Sequence, residues 1–139
     1  MTPLSRVLIT LLALTLASCT RTPPTYKTRG TVTYQNKPLT TGVVALHHTN
    51  HKSPLVKGEI ATDGSFQLMT YKPDDGAEPG EYTVTVTSMT SSHGVEGVDK
   101  DYRSPQPLIP LKYMRLAETP LKVTIEPRHD NVLSLSLTP

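Results

Sequence analysis

From residue 28 onward, apolar and polar side chains alternate along most of the chain. In "GEYTVTVTS" (80–88) Tyr82, Val84 and Val86 fall on one face, and Thr83, Thr85 and Thr87 on the other. "PLKVTIEP" (120–127) sets Leu121, Val123 and Ile125 against Lys122, Thr124 and Glu126. "NVLSLSLTP" (131–139) sets Leu133, Leu135 and Leu137 against Ser134, Ser136 and Thr138. A period of two marks a strand with one buried face, and the Val, Ile and Thr content suits a pleated surface. Turn signals divide these runs: "QNKP" (35–38), the Asp-Gly pair of "TDGS" (62–65), which favours a tight hairpin, and "PRHD" (127–130). The pattern predicts seven strands, over 29–34, 42–48, 56–62, 65–70, 80–88, 119–126 and 131–138. No helical stripe of ten or more residues appears among them, so the fold class is all-β, with an antiparallel sandwich as its architecture.

Residues 88–118 break the rhythm, and a connection longer than about 15 residues is unusual in a compact domain. The first half is polar and contains glycine. The second half carries Leu108, Ile109, Tyr113 and Leu116, enough to pack a crossover against one edge of the sandwich.

The first 18 residues follow a different pattern. Arg6 precedes an apolar run from Val7 to Ala17, about eleven residues where a membrane-spanning helix needs roughly 20. A positive start and a short apolar core describe an export signal. Its end, Leu16-Ala17-Ser18-Cys19, resembles the lipobox of bacterial lipoproteins. That resemblance implies cleavage between Ser18 and Cys19, with diacylglycerol joined to the Cys19 sulfur and the new amino terminus acylated. Two or more acyl chains hold a protein firmly to a bilayer where one does so only marginally. "TRTPPTYKT" (20–28) has no periodicity, so it offers Cys19 no folded pocket in which to act as a nucleophile. Cys19 is the single cysteine, so no disulfide forms within the chain. The expected organisation is a signal peptide (1–18), a lipidated Cys with an extended linker (19–28) and a β-sandwich domain (29–139).

Composition narrows the function classes. The formal charge of +2 falls to +1 once Arg6 leaves with the signal, which gives no basic footprint for nucleic acid. Thirteen Pro, no Trp and one Phe argue against long helices and against an aromatic platform for stacking sugars.

Three stretches together resemble a known group: "RGTVTYQNKPLTTGVVALHH" (29–48), "GEIATDGSFQLMTYKPDDGAEPGEYTVTV" (58–86) and "LIPLKYMRLAETPLKVTIEP" (108–127). They are similar to small secreted lipoproteins abundant in planctomycete bacteria, described as carboxypeptidase regulatory-like or transthyretin-like domains. The resemblance spans about residues 29–138 and rests on strand-and-turn signatures. It implies a seven-stranded antiparallel Greek-key sandwich of prealbumin type, outside the cytoplasm, with no established enzymatic activity.

Residues that could carry chemistry are few. His47, His48 and His51 form "HHTNH"; on a strand His47 and His48 point to opposite faces, so His47 and His51 are the pair that could converge on a metal ion. A cluster of this kind is more often solvated, and no metal or other cofactor is expected. Asp74, Asp75, Glu78 and Glu81 form "DDGAEPGE", which lacks the EF-hand spacing and reads as an exposed acidic turn. Tyr102-Arg103-Ser104 resembles the Tyr-Arg-Gly-Ser ending of transthyretin-like hydroxyisourate hydrolases, but it lacks the Gly and lies in mid-chain. Ser91, Ser92, His93 and Asp99 could be drawn as a triad, yet no G-x-S-x-G elbow accompanies them. The expected function is therefore non-catalytic: a lipid-anchored module of the cell envelope, facing the periplasm or the exterior, that meets the membrane through its anchor and an envelope protein or polysaccharide as partner. A ligand or metal carrier is the alternative, and a small hydrolase comes last.

Overall fold

The structure, a computed structural model, describes residues 21–91 and 104–139. Eight strands fill the alternating segments: β1 (Thr28–Tyr34), β2 (Lys37–Pro38), β3 (Val43–His48), β4 (Val56–Glu59), β5 (Ser65–Gln67), β6 (Gly80–Thr87), β7 (Lys122–Ile125) and β8 (Asn131–Leu137). They form two four-stranded sheets. In one the order is β4-β3-β6-β7, antiparallel throughout. In the other β1 is central, with β2 and β5 antiparallel along one edge and β8 on the other. The sheets face each other across a core of Val32, Phe66, Leu133, Leu135 and Leu137 from one side and Val44, Leu46, Tyr82, Val84, Val86 and Ile125 from the other. This is the small β-sandwich that alternation predicts, and its layout is compatible with a prealbumin-like fold. Burying one face of each sheet supplies the driving force, at roughly 25 cal/mol per Å² of apolar surface.

One pairing departs from a wholly antiparallel sandwich. β8 runs parallel to β1 over its full length, from Thr28 opposite Asn131 to Tyr34 opposite Leu137. Alternation reports which face of a strand is buried and carries no information on strand direction, so the sequence pattern was blind to it. Close approach at Gly30 helps the three strands meet, because a Cβ there would collide with the Leu133 carbonyl and the Phe66 ring.

Several predicted strand ends are corrected, each for a local reason. The 56–62 strand stops at Glu59, because the Ala61 N–H already turns back to the Ser65 carbonyl. The 65–70 strand stops at Gln67, since the Asp75 carboxylate draws off the N–H groups of Thr70, Tyr71 and Lys72. The 119–126 strand starts at Lys122, after Thr119 has bonded through its hydroxyl to the Val84 carbonyl. β2 is an addition, two residues closing a hairpin whose turn places Gln35 and Asn36 at positive φ.

The long connection has a stem and a plug. Residues 88–90 and 106–108 pair back to back through Leu108 N–H to the Ser88 carbonyl (2.9 Å) and Thr90 N–H to the Gln106 carbonyl (2.8 Å). A single 3₁₀ turn (Leu111–Met114) follows, and it buries Ile109 and Tyr113 while Leu108 and Leu116 stay exposed. The Tyr113 hydroxyl accepts the Thr138 N–H at 2.9 Å and donates to the Thr138 carbonyl at 3.1 Å, which locks the turn to the end of β8.

Candidate functional site

The three histidines leave the end of β3 in different directions. His47 lies on the outer face, with Nε2 3.1 Å from the Thr85 hydroxyl, and burial lowers its pKa from the ordinary value. His48 turns the other way. Its ring meets Tyr82 edge-on at 4.7 Å, its Nδ1 accepts the Asn50 N–H at 3.1 Å, and its Nε2 stands 3.4 Å from the Pro79 carbonyl. Both ring nitrogens of His48 are thus engaged with the protein's own backbone. Its seat depends on Gly80, where φ is +146° and a Cβ would run into the His48 ring. His51 is exposed at φ +54° in the turn that follows.

His47 and His51 do line one space, an open cavity of about 240 Å³ shared with His48, Thr49, Thr83 and Leu116. Among the described residues no three His, Cys, Asp or Glu side chains converge in a way that would hold a metal ion. The cavity offers imidazole and hydroxyl groups beside one exposed leucine.

The acidic stretch separates into distinct roles. Asp74 and Glu81 are exposed, as an acidic turn predicts. Asp75 holds the three successive N–H groups named above, at 2.7, 2.9 and 3.0 Å, and so shapes the bend. Glu78 overturns the exposed reading, because it is buried. One carboxylate oxygen accepts the Tyr71 hydroxyl at 2.6 Å, and the other accepts the Ser53 hydroxyl at 2.9 Å. The Glu78 main-chain carbonyl accepts the Tyr82 hydroxyl at 2.9 Å, a phenol bonded to backbone four residues upstream, as in the tyrosine corner of other sandwiches. The bond to Glu78 pushes the Tyr71 phenol up to about 12, and burial pushes the Tyr82 phenol up to about 12.

This polar network joins the 49–55 and 70–79 loops. Its chemistry is that of a clamp. Ser53 donates to the Glu78 carboxylate and accepts from the Asn50 amide, so both sides of its hydroxyl are used in holding the two loops together. No buried side-chain polar atom among the described residues lacks a partner. Sequence reading missed Ser53 and Tyr71 altogether. It placed Tyr82 in the core by alternation, without the hydroxyl's role. The "P-G-x-Y" spelling is the signal that could have found it.

A second open cavity, also about 240 Å³, sits against β1 and β5 and is lined by Lys27, Thr28, Arg29, Gln67, Asp74 and Asp130. Both signs of charge meet there. Ser18 and Cys19 lie outside the described residues, as do Ser92, His93, Asp99, Tyr102 and Arg103, so neither the lipidation site nor the drawn triad is displayed. Of those loop residues Ser91 and Ser104 are described, and both are exposed.

No family model matches the sequence, and no curated protein matches it. Among solved structures, a DUF3823 family protein from Parabacteroides merdae is similar at 17% identity and a TM-score of 0.44, over 85% of this chain and 48% of the other. A 9R-lipoxygenase from Cyanothece is similar at 16% identity and a TM-score of 0.41, over 84% of this chain and 16% of the other. The chain thus spans about half the length of the first of these structures and a smaller part of the second.

Proposed function

We propose that this protein is a non-catalytic lipoprotein of the bacterial cell envelope, of the kind described in planctomycetes as carboxypeptidase regulatory-like. In this reading it is held to a membrane through Cys19 and presents a β-sandwich to other envelope components. The observation that carries this reading is the Leu16-Ala17-Ser18-Cys19 sequence at the end of a short apolar run, followed by a Pro-containing linker. The closed hydrogen bonding of Glu78, Tyr71, Ser53 and His48 supports its second half, since each reactive group there is already engaged in holding loops. The linker reaches the domain at Tyr26, whose N–H bonds to the Ala77 carbonyl at 2.8 Å. Residues 19–25 are left to span at most about 25 Å from the bilayer, at roughly 3.3–3.6 Å per residue.

The test is metabolic labelling with radioactive palmitate. Wild-type protein takes up label and loses residues 1–18, and Cys19→Ala does neither. An unlabelled wild type with its leader intact overturns the reading. A carrier role is the second reading, favoured by the shared cavity of His47 and His51. Equilibrium dialysis against zinc or copper decides it: metal retained by wild type and lost in His47→Ala supports a carrier, and no retention at micromolar metal ends that role.

A further inference from the structure

β8 is bonded along one edge only among the described residues. The Asn131 N–H donates to the Lys27 carbonyl at 3.0 Å, and the Leu137 carbonyl accepts the Gln35 N–H at 3.2 Å. Backbone direction alternates along a strand, so residues 131, 133, 135 and 137 address β1. The N–H and C=O groups of Val132, Ser134 and Ser136 therefore point away from it. Sheet edges are normally guarded by charge, proline, a bulge or short length. The other edges follow that rule: β2 has two residues with Lys37 and Pro38, β5 has three, β7 has four and carries Lys122, and β4 is bridged to Met69. β8 has seven residues, none charged and none proline, and Val132 on its outer face is 67% exposed.

We propose that β8 is a dimerisation edge, and that its occupant is β8 of a second copy of this chain. The two strands run antiparallel about a two-fold axis through Ser134. In this register Val132 faces the partner's Ser136 and Ser134 faces the partner's Ser134, so each pair aims both backbone groups at the other and about six hydrogen bonds form. On the inner face Leu133 meets the partner's Leu135 at the closely spaced position, which joins the two cores edge to edge. A two-fold axis sets this strand against its own residues, so any charge on it would meet a like charge nearby. An uncharged strand is what such pairing requires, whereas a charged foreign peptide would find no counter-charge on it. Beyond Ser136 the edge is closed, because Tyr113 takes the Thr138 N–H. The proposal stands whether or not Cys19 carries lipid.

Sedimentation equilibrium of the full chain in density-matched detergent tests it. Wild type dimerises as concentration rises. Ser134→Pro stays monomeric and melts where dilute, monomeric wild type does, because the proton it removes points out of the fold, and Ser134→Thr still dimerises. A wild type that is monomeric at every concentration, or a dimer that survives Ser134→Pro, overturns the proposal. If the proline variant does not fold, amide exchange of wild type decides. Slowing at Val132, Ser134 and Ser136 as concentration rises supports the pairing, and fast exchange at all three throughout overturns it.

Discussion

Tyr82 shows how one side chain serves both packing and hydrogen bonding. Its ring is buried against His48, and its hydroxyl reaches the Glu78 carbonyl. Replacing Tyr82 with Phe keeps the ring and strands a buried carbonyl, a loss of about 1–3 kcal/mol in urea unfolding. The phenol also sets an alkaline limit. Its folded pKa, about 12, lies above the ordinary value of 10.0, so the protonated form is the one that folding favours. The contribution is complete below pH 10 and fades as pH rises toward about 12, by up to roughly 3 kcal/mol. Tyr82→Phe should therefore show a shallower fall in stability over that interval than wild type. His47 works in the acid direction. Burial lowers its pKa below the ordinary 6.5, so its contribution is full above that value and is lost as pH falls through it. Urea midpoints measured from about pH 7.5 down to 5 should decline less for His47→Gln, which can still bond to Thr85, than for wild type.

At the scale of elements, the turns hold the strands in place through side chains that alternation does not display. Asn131 is the clearest case. It opens β8, is buried, and its amide accepts the Glu126 N–H at 3.0 Å while donating to the Glu126 and Arg128 carbonyls at 3.0 and 3.3 Å. Asn131→Ala leaves those groups without partners, and a loss of roughly 2–3 kcal/mol is expected, read as a lower denaturant midpoint with an unchanged m-value. The strands themselves were legible, because Leu133, Leu135 and Leu137 announce a buried face in plain alternation. The Asp63-Gly64 turn was legible for a similar reason: its hairpin conformation is written in two adjacent residues, and the Asp63 carboxylate accepts the Ser65 N–H at 2.9 Å. Glu78 was not legible. Its neighbours suggest an exposed acidic run, and only the folded arrangement brings Ser53 and Tyr71 to its carboxylate from two separate loops.

For the molecule as a whole, stability rests on the packing between two sheets, with no covalent link inside the described domain. Urea unfolding followed by fluorescence and by far-UV circular dichroism should give a single coincident transition that a reducing agent leaves unchanged, since the chain has one cysteine. A shift in midpoint on reduction would show that Cys19 takes part in a bond between chains. Sequence reading recovered the two-layer architecture and the inner faces, because both follow from a period of two. The parallel pairing of β1 with β8 escaped it, since partners so far apart along the chain share no local signature. That pairing has a kinetic consequence. β1 finds its parallel partner in a strand roughly a hundred residues later, and contacts of such separation form late and slow the search for the native state. A chain still emerging from a ribosome therefore lacks the strand that completes this sheet, so it remains pliable until β8 is free.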